Sequence, residues 1–167
     1  MLAASLMDDL CTLSFIQSEN PAYVAPATGL PLQTLSPLER VSQQFVDRGI
    51  VFEHAIALIP SNPAFIASPG RQVIMPTGNH HRLALILQQQ GGSLTIAGRC
   101  TQAISLEAVD SSGQLVGHYV DKSFTKPSPS HRLLPCQTIR IDNLAQIEQI
   151  QISARTPFTL ERIHLGR

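Results

Sequence analysis

The most prominent polar cluster in the sequence is the run Asn79-His80-His81-Arg82. Adjacent residues on a strand point to opposite faces, so the two histidines of this run cannot easily chelate one metal ion. The other histidines are scattered along the chain, at His54, His118, His131 and His164. The pattern therefore predicts a loop that leads into a strand, rather than a metal centre.

Side chains that could act in catalysis are present, but no motif arranges them. Neither Cys100 nor Cys136 lies in a neighbourhood typical of a cysteine nucleophile. The carboxylates are single and dispersed apart from Asp8-Asp9, so the sequence places no pair for acid–base catalysis. We therefore predict that the protein is not an enzyme and holds no cofactor. The residues to test first against this prediction are His80, His118 and Glu107.

Composition and charge exclude several classes of partner. Basic and acidic residues number 12 each, so the formal net charge is zero. No strong field steers such a chain to nucleic acid or to an anionic membrane. The aromatic residues are mostly phenylalanines at apolar positions, unlike the stacked aromatics of an RNA-binding surface. No stretch approaches the roughly 18–20 apolar residues that span a bilayer. We predict neither nucleic-acid binding nor membrane insertion.

The cysteines and the N-terminus indicate the compartment. Cys11, Cys100 and Cys136 form an odd, widely spaced set without a CxxC motif. Such a set is typical of buried free thiols in a reducing compartment. The apolar start of the chain lacks a basic n-region and runs into Asp8-Asp9, unlike a signal peptide. We therefore predict a cytoplasmic protein.

Short segments of alternating hydrophobicity predict an all-β chain. Residues 12–16 suit a first strand, and Leu83, Leu85 and Leu87 alternate with other residues in a later one. The run 110–113, Asp-Ser-Ser-Gly, predicts a hairpin turn. About nine or ten such strands, separated by turn signals, are the pattern of a two-sheet antiparallel β-sandwich, here a jelly roll.

One segment predicts a short helix near residues 37–47. Ser36 can cap it, Pro37 fits the first helical position, and Glu39 can reach back to complete a capping box. Gly49 is placed to end it. We expect this helix to lie against the sheets.

The layout along the chain completes the prediction. Apolar positions at the end of the chain change phase after Leu160, which predicts a β-bulge near Glu161 and Arg162. Loops rich in proline, glycine and serine are expected to lack regular structure. We predict a single domain over 1–167, with an N-terminal extension at 1–10 and long loops at 18–35 and 125–135.

Several phrases, taken in order, resemble a family of bacterial jelly-roll domains of the galactose-binding type that are often found in exported surface proteins. The first is the strand near 12–16 with its long loop. The others are VSQQFVDRGIVF (41–52), SNPAF (61–65), ISLEAVDSSGQLV (104–116) and IEQIQISARTPFTLERIHL (147–165). Together they cover nearly the whole chain, and the resemblance implies a β-sandwich that binds a ligand.

The resemblance implies a sugar site and, in some members, a structural Ca²⁺ between the first and last strands. The candidate ligands for that ion are Glu19 and Glu161. Hard cations need several oxygen ligands, normally with more negative charge, so the sequence favours the absence of calcium. The chain has no tryptophan and only Tyr23 and Tyr119 as tyrosines, which makes a flat aromatic platform for a sugar ring hard to build.

These observations predict a non-catalytic accessory subunit that makes protein–protein contacts within a larger assembly. Only 14% of the residues are charged, and all basic residues except Lys122 and Lys126 are arginine, which suits interface contacts. The long loops are the expected contact surfaces. The candidate contact residues are Tyr23, Arg82, Arg99 and Arg132. The alternative is a carbohydrate-binding module of the galactose-binding-like type.

Overall fold

The computed structural model describes residues 28–65, 68–78, 81–128 and 132–166. Regular structure in these ranges consists of strands and three short 3-10 turns, Leu32–Thr34, Val46–Arg48 and Pro63–Phe65. The strands are β1 (Thr28–Gly29), β2 (Arg40–Val41), β3 (Ile50–Glu53), β4 (Ala55–Leu58), β5 (Val73–Pro76), β6 (Arg82–Leu87), β7 (Ser93–Cys100), β8 (Ser105–Val109), β9 (Leu115–Val120), β10 (Cys136–Ile141), β11 (Gln149–Ser153) and β12 (Phe158–Gly166).

Two antiparallel sheets pack face to face and enclose the core. The seven-stranded sheet has the order β10-β7-β12-β5-β4-β2, with β1 paired to β12. The five-stranded sheet has the order β3-β6-β11-β8-β9. Apolar side chains from both sheets form one contiguous cluster between them. This confirms the predicted all-β, two-sheet jelly-roll sandwich.

Alternation along β6 shows how the sequence sets the two faces. Leu83, Leu85 and Leu87 are buried in the core, whereas Arg82 is exposed and Ile86 is half-buried. Successive side chains of a strand point to opposite faces, so every second residue reaches the apolar layer. The alternation seen in the sequence therefore places all three leucines in the core.

The predicted β-bulge is confirmed in β12. The pairing of β12 with β7 shifts by one residue between Leu160 and Arg162. Glu161 is the extra residue, and its insertion lets both Leu160 and Ile163 reach the core with no exposed surface. One long strand therefore replaces two segments that are out of phase in the sequence.

The predicted hairpin between β8 and β9 is also confirmed. The Asp110 carboxylate accepts hydrogen bonds from the Ser112 hydroxyl at 2.6 Å and from the backbone N–H of Ser112 and Gln114 at 2.8 and 2.9 Å. These bonds, with that of the Ser112 side chain the strongest, hold the pKa of Asp110 below its usual range. Gly113 supplies the left-handed residue of the turn, with φ of 79°.

The predicted helix over 37–47 is wrong. The side-chain hydrogen bond of the predicted capping box does form, since the Glu39 carboxylate accepts a hydrogen bond from the Ser36 N–H at 2.7 Å. However, Leu38 has a φ of 65°, which a right-handed helix cannot contain. The Leu38 N–H donates to the Ala57 carbonyl at 2.7 Å, and the Ala57 N–H donates to the Glu39 carbonyl at 2.8 Å. Pairing with β4 therefore overrides the local capping signal.

The two described cysteines differ in state. Cys100 is a free thiol without exposed surface, which confirms the prediction for this residue. Cys136 is disulfide-bonded, so the predicted free thiol is wrong there. Cys11 lies outside the described residues. A disulfide is more typical of an oxidising compartment, and the cytoplasmic location stays a prediction.

These states predict different responses to alkylation. We expect iodoacetamide to modify Cys100 only after the protein is unfolded, because the folded core excludes the reagent. We expect it to modify Cys136 only after unfolding and reduction together, because a disulfide sulfur is not a nucleophile. Peptide mass spectrometry of the alkylated protein measures both. Modification of Cys136 in unfolded, unreduced protein would contradict the disulfide.

Some predictions fall on residues outside the described ranges, namely the extension at 1–10, the first strand at 12–16 and the part of the long loop at 18–27. The described end of that loop, 28–35, contains β1 and a 3-10 turn, so the predicted lack of regular structure is wrong there. The described residues of the loop 125–135 have neither strand nor helix, as predicted. No helix in the described part of the chain is long and apolar enough to cross a membrane. The single domain over 1–167 stays a prediction.

Candidate functional site

The outer face of the five-stranded sheet carries polar side chains that are well placed to meet a ligand. The residues between the core positions of these strands project away from the core. Apart from the buried Ala84, they are half-buried or exposed. They are Val51, Glu53, Arg82, Ile86, Ser105, Glu107, Val109, Leu115, His118, Val120, Gln149, Gln151 and Ser153.

A polar row crosses three strands at one end of this face. Arg82 begins β6, Ser105 begins β8 and Ser153 ends β11, and the antiparallel pairing brings these strand ends together. Ser153 is opposite both Arg82 and Ser105 in the register. Directly opposed residues have Cβ atoms about 5 Å apart. The two serine hydroxyls share a hydrogen bond at 3.1 Å. The row therefore presents one guanidinium and two hydroxyl groups along one line.

A pocket of about 570 Å³ lies over this row. The backbone N–H of Ala154 donates to the carbonyl of His81 at 3.1 Å, which holds the ends of β6 and β11 together at the rim. The lining is made by His81, Arg82, Ala103, Ser105, Ser153, Ala154 and Arg155. The arginine, serine and histidine side chains of this set can donate hydrogen bonds to oxygen atoms of a ligand, and the described lining contains no carboxylate.

The charges in the pocket are positive and uncompensated. Within the ranges that the structure describes, neither Arg82 nor Arg155 has a hydrogen-bond or ion-pair partner for its side chain. Other arginines of the protein do have such partners, as at Arg99 with Glu161 and Arg140 with Asp142. The pocket thus combines two free guanidinium groups with neutral hydroxyls.

Arg99 and Glu161, which the sequence analysis assigned to different roles, form one buried ion pair. Arg99 Nε lies 2.5 Å from Glu161 Oε1, and the two side chains are 4% and 3% exposed. The Arg99 guanidinium also donates a hydrogen bond to the backbone carbonyl of Leu134. Arg99 is therefore not at a surface that a partner protein reaches, and the pair instead ties β7, β12 and the loop before β10 together.

The surroundings of Glu161 do not support its predicted calcium role. Glu161 lines a smaller cavity of about 250 Å³ together with Arg71 and Arg162. Burial lowers the pKa of Arg162, and the positive charge of Arg71 lowers it further. Calcium needs several oxygen ligands and negative charge, whereas this carboxylate is surrounded by guanidinium groups. Residues 28–65, 68–78, 81–128 and 132–166 contain no group of three metal-ligating side chains. Glu19 lies outside them.

No protein-family model and no curated protein matches this chain. The K2 cleaved adhesin domain of Lys-gingipain is similar over 84% of this chain and 99% of that domain, with 7% identity and a TM-score of 0.52. The K1 domain of Lys-gingipain from Porphyromonas gingivalis W83 is similar over 84% and 98%, with 10% identity and a TM-score of 0.50. A variant of a family 29 carbohydrate-binding module gives 0.41 over 83% and 92%, with 11% identity.

Two adhesin domains matched over almost their whole length, together with the two antiparallel sheets, decide the architecture. The fold is a galactose-binding-like jelly roll. The resemblance found in the sequence is therefore confirmed at the level of the fold. The first two of these neighbours are adhesin domains, and the third is a carbohydrate-binding module.

The jelly roll separates the four predicted contact residues. Arg82 lies in the pocket, whereas Arg132 is exposed in the loop before β10 and does not line that pocket. Arg99 is buried, and Tyr23 lies outside the described residues. Contact with a partner stays a prediction for Arg82 and Arg132.

The fold places two of the three residues proposed as first tests for catalysis next to each other. His118 on β9 is opposite Glu107 on β8, and both lie on the outer face. No hydrogen bond or ion pair joins their side chains in the described structure. His80 lies outside the described residues. The pair adds polar groups to the outer face and has no third group that orients it.

Sequence reasoning missed Ser105, Ser153 and Arg155. Each is unremarkable in sequence, since a serine between apolar residues is common on an outward strand face. Their association with Arg82 depends on the register between β6, β11 and β8. Alternation could have placed the two serines on the outer face, but not next to one another.

Proposed function

We propose that the protein is a non-catalytic binding subunit that contacts another protein within a larger assembly. The observation that carries the proposal is the exposed apolar edge strand β9. Its side chains Leu115, Val116 and Val120 are 57%, 44% and 38% exposed. Large apolar side chains gathered on a sheet edge are a typical protein-contact surface.

Strand β9 has the properties of a template for a partner strand. It pairs with β8 on one side, and no strand of the described chain pairs with the other. It contains neither proline nor lysine, the residues that commonly block such edges. Its inner side is fixed, because Tyr119 packs against the core and a Cβ at Gly117 would lie 2.6 Å from the Tyr119 hydroxyl. An extended segment of a partner can therefore add to an edge that is already in place.

The structural neighbours support a binding role. Two of them are adhesin domains by name, and the third is a carbohydrate-binding module. Fold does not fix the ligand, which depends on the groups that each chain places on its surface. In this protein the exposed apolar groups of β9 favour a protein partner.

Lysine at position 116 is expected to weaken this contact. We expect Val116→Lys to lower the recovery of the bound partner from native lysate by about tenfold, because a buried charge replaces an apolar contact. The control is Val46→Lys, on the second 3-10 turn, where the valine is 52% exposed and lies away from β9. Quantitative mass spectrometry of the captured proteins gives the readout.

The expected result is one protein that is retained by the unaltered chain and by Val46→Lys but largely lost by Val116→Lys. Equal recovery of the same proteins by all three chains would show that β9 is not the contact. A clean monomer of about 18 kDa with no associated protein would remove the assembly itself from consideration.

A carbohydrate-binding module is the second candidate, and the polar pocket favours it. Saccharides are bound through hydroxyl groups, which the serine, arginine and glutamine side chains of the outer face can meet. None of the described outward residues of this face is aromatic, so hydrogen bonds rather than stacking on a sugar ring would hold the saccharide. Affinity electrophoresis through polysaccharide gels tests this candidate, and unretarded migration in every gel would discard it.

A further inference from the structure

We propose that the pocket over Arg82, Ser105, Ser153 and Arg155 binds the anionic group of an acidic saccharide, a uronate carboxylate or a sulfate ester. This inference rests on the carbohydrate-binding candidate and names the class of saccharide.

The positive charge of the pocket is the first reason to expect an anionic ligand. Arg82 and Arg155 line the same pocket, and neither side chain has a partner among the described residues. Both residues are exposed, so each guanidinium can reach an anion that enters the pocket. No carboxylate is among the described residues that line the pocket, so an anion would meet positive charge there without a competing negative group.

The geometry of the hydrogen-bond donors is the second reason to expect an anionic ligand. A guanidinium presents its N–H groups in a planar fork that matches the two oxygens of a carboxylate or sulfate. Ser153 is opposite Arg82 in the register, and its hydroxyl shares one hydrogen bond with that of Ser105. The Ser105 hydroxyl also donates to the Ser153 carbonyl at 3.4 Å, so the two serines bond to each other and the guanidinium N–H groups are the free donors. The row therefore offers several donors to one oxyanion.

The surface next to the pocket favours a saccharide over an acidic peptide. The next row of the outer face holds Glu107 and Gln151, which are opposite each other, and the row after it holds Gln149. Amide and carboxylate groups can exchange hydrogen bonds with sugar hydroxyls. The Glu107 carboxylate would repel a second acidic side chain of a peptide. It can instead accept hydrogen bonds from the hydroxyl groups of a saccharide that carries a single acid group.

Isothermal titration calorimetry tests the proposal with a neutral oligosaccharide that carries one uronate, with its methyl ester, and with the same oligosaccharide carrying one sulfate ester. We expect binding of an acidic oligosaccharide, loss of that binding on esterification, and weaker binding at higher salt because the pocket is open to solvent. Arg82→Gln and Arg155→Gln are each expected to weaken binding about tenfold, as for loss of a charge-assisted hydrogen bond. The control Arg40→Gln removes an exposed arginine outside the pocket and is expected to change nothing.

The comparison separates the two carbohydrate hypotheses. Equal binding of the acidic oligosaccharides and of the methyl ester would overturn the anionic inference and leave a carbohydrate-binding module in place. Absence of binding to any saccharide would overturn both. Binding of a polyglutamate peptide that depends on Arg82 and Arg155, with no saccharide bound, would replace the saccharide by a protein ligand. Val116→Lys is expected to bind the saccharide normally, because β9 does not line the pocket.

Discussion

Replacement of Glu161 by glutamine is expected to lower the free energy of unfolding by about 3–5 kcal/mol. The reason is the environment of Arg99, whose guanidinium is buried beside Glu161 at 2.5 Å. Glutamine keeps the size of the side chain but not its charge, so Glu161→Gln leaves a buried cation without compensation. Urea unfolding followed by circular dichroism measures the change, because the chain has no tryptophan to report by fluorescence.

The protein supplies a matched control at its surface. Arg140 and Asp142 form an ion pair with the same distance of 2.5 Å, but these side chains are 64% and 79% exposed. We expect Asp142→Asn to cost less than about 1 kcal/mol, because water screens the pair. The double variant Arg99→Met with Glu161→Leu is expected to recover most of the loss, since it removes both charges. A cost for Glu161→Gln no larger than that for Asp142→Asn would show that the pair is solvated.

The second large effect is expected in the core. Leu85→Ala should lower the free energy of unfolding by about 2–5 kcal/mol, because it removes a buried side chain from the middle of β6 and leaves a cavity. Leu85 has no exposed surface and belongs to the cluster between the two sheets. The same urea experiment gives this value from the shift of the unfolding midpoint.

The neighbouring residue provides the comparison for Leu85. Ile86 has a side chain of the same size and lies one position further along β6, but it projects from the outer face and is half-buried. We expect Ile86→Ala to cost about 1 kcal/mol or less. Equal costs at the two positions would contradict the assignment of the faces, since a one-residue change in register exchanges them.

Several features of the fold follow from local patterns in the sequence. Alternation assigns Leu83, Leu85 and Leu87 to the core, because the side-chain period of a strand is two residues. The turn at Asp110 is predicted by residues that bond to their own backbone. The bulge at Glu161 is predicted by a change of phase within one strand. Each of these features depends on residues that are close in sequence.

Features that depend on distant residues could not be predicted in this way. The signals at Ser36 and Glu39 indicate a helix, and their hydrogen bond does form. The backbone nevertheless pairs with Ala57, because strand pairing in the sheet satisfies the same groups and also buries Val41. Local propensity is small compared with such tertiary contacts.

The candidate site shows the same division. Arg82 and Arg99 are both arginines next to a strand terminus, since Arg82 begins β6 and Arg99 precedes the last residue of β7. In the structure Arg82 faces a pocket, whereas Arg99 is neutralised by Glu161, which lies 62 residues later in the chain. Strand pairing decides which distant residues lie next to an arginine, and these neighbours decide whether it is a surface contact or a buried structural residue.

The sequence by itself determined that the chain forms short antiparallel strands with one apolar face, because apolar and polar side chains alternate with a period of two residues within each segment. Only the tertiary structure decided which polar residues meet. Ser105, Ser153 and Arg82 come from three separate strands, and the register of those strands is set by the packing of the whole core. The pocket is therefore a product of long-range pairing, which no local pattern encodes.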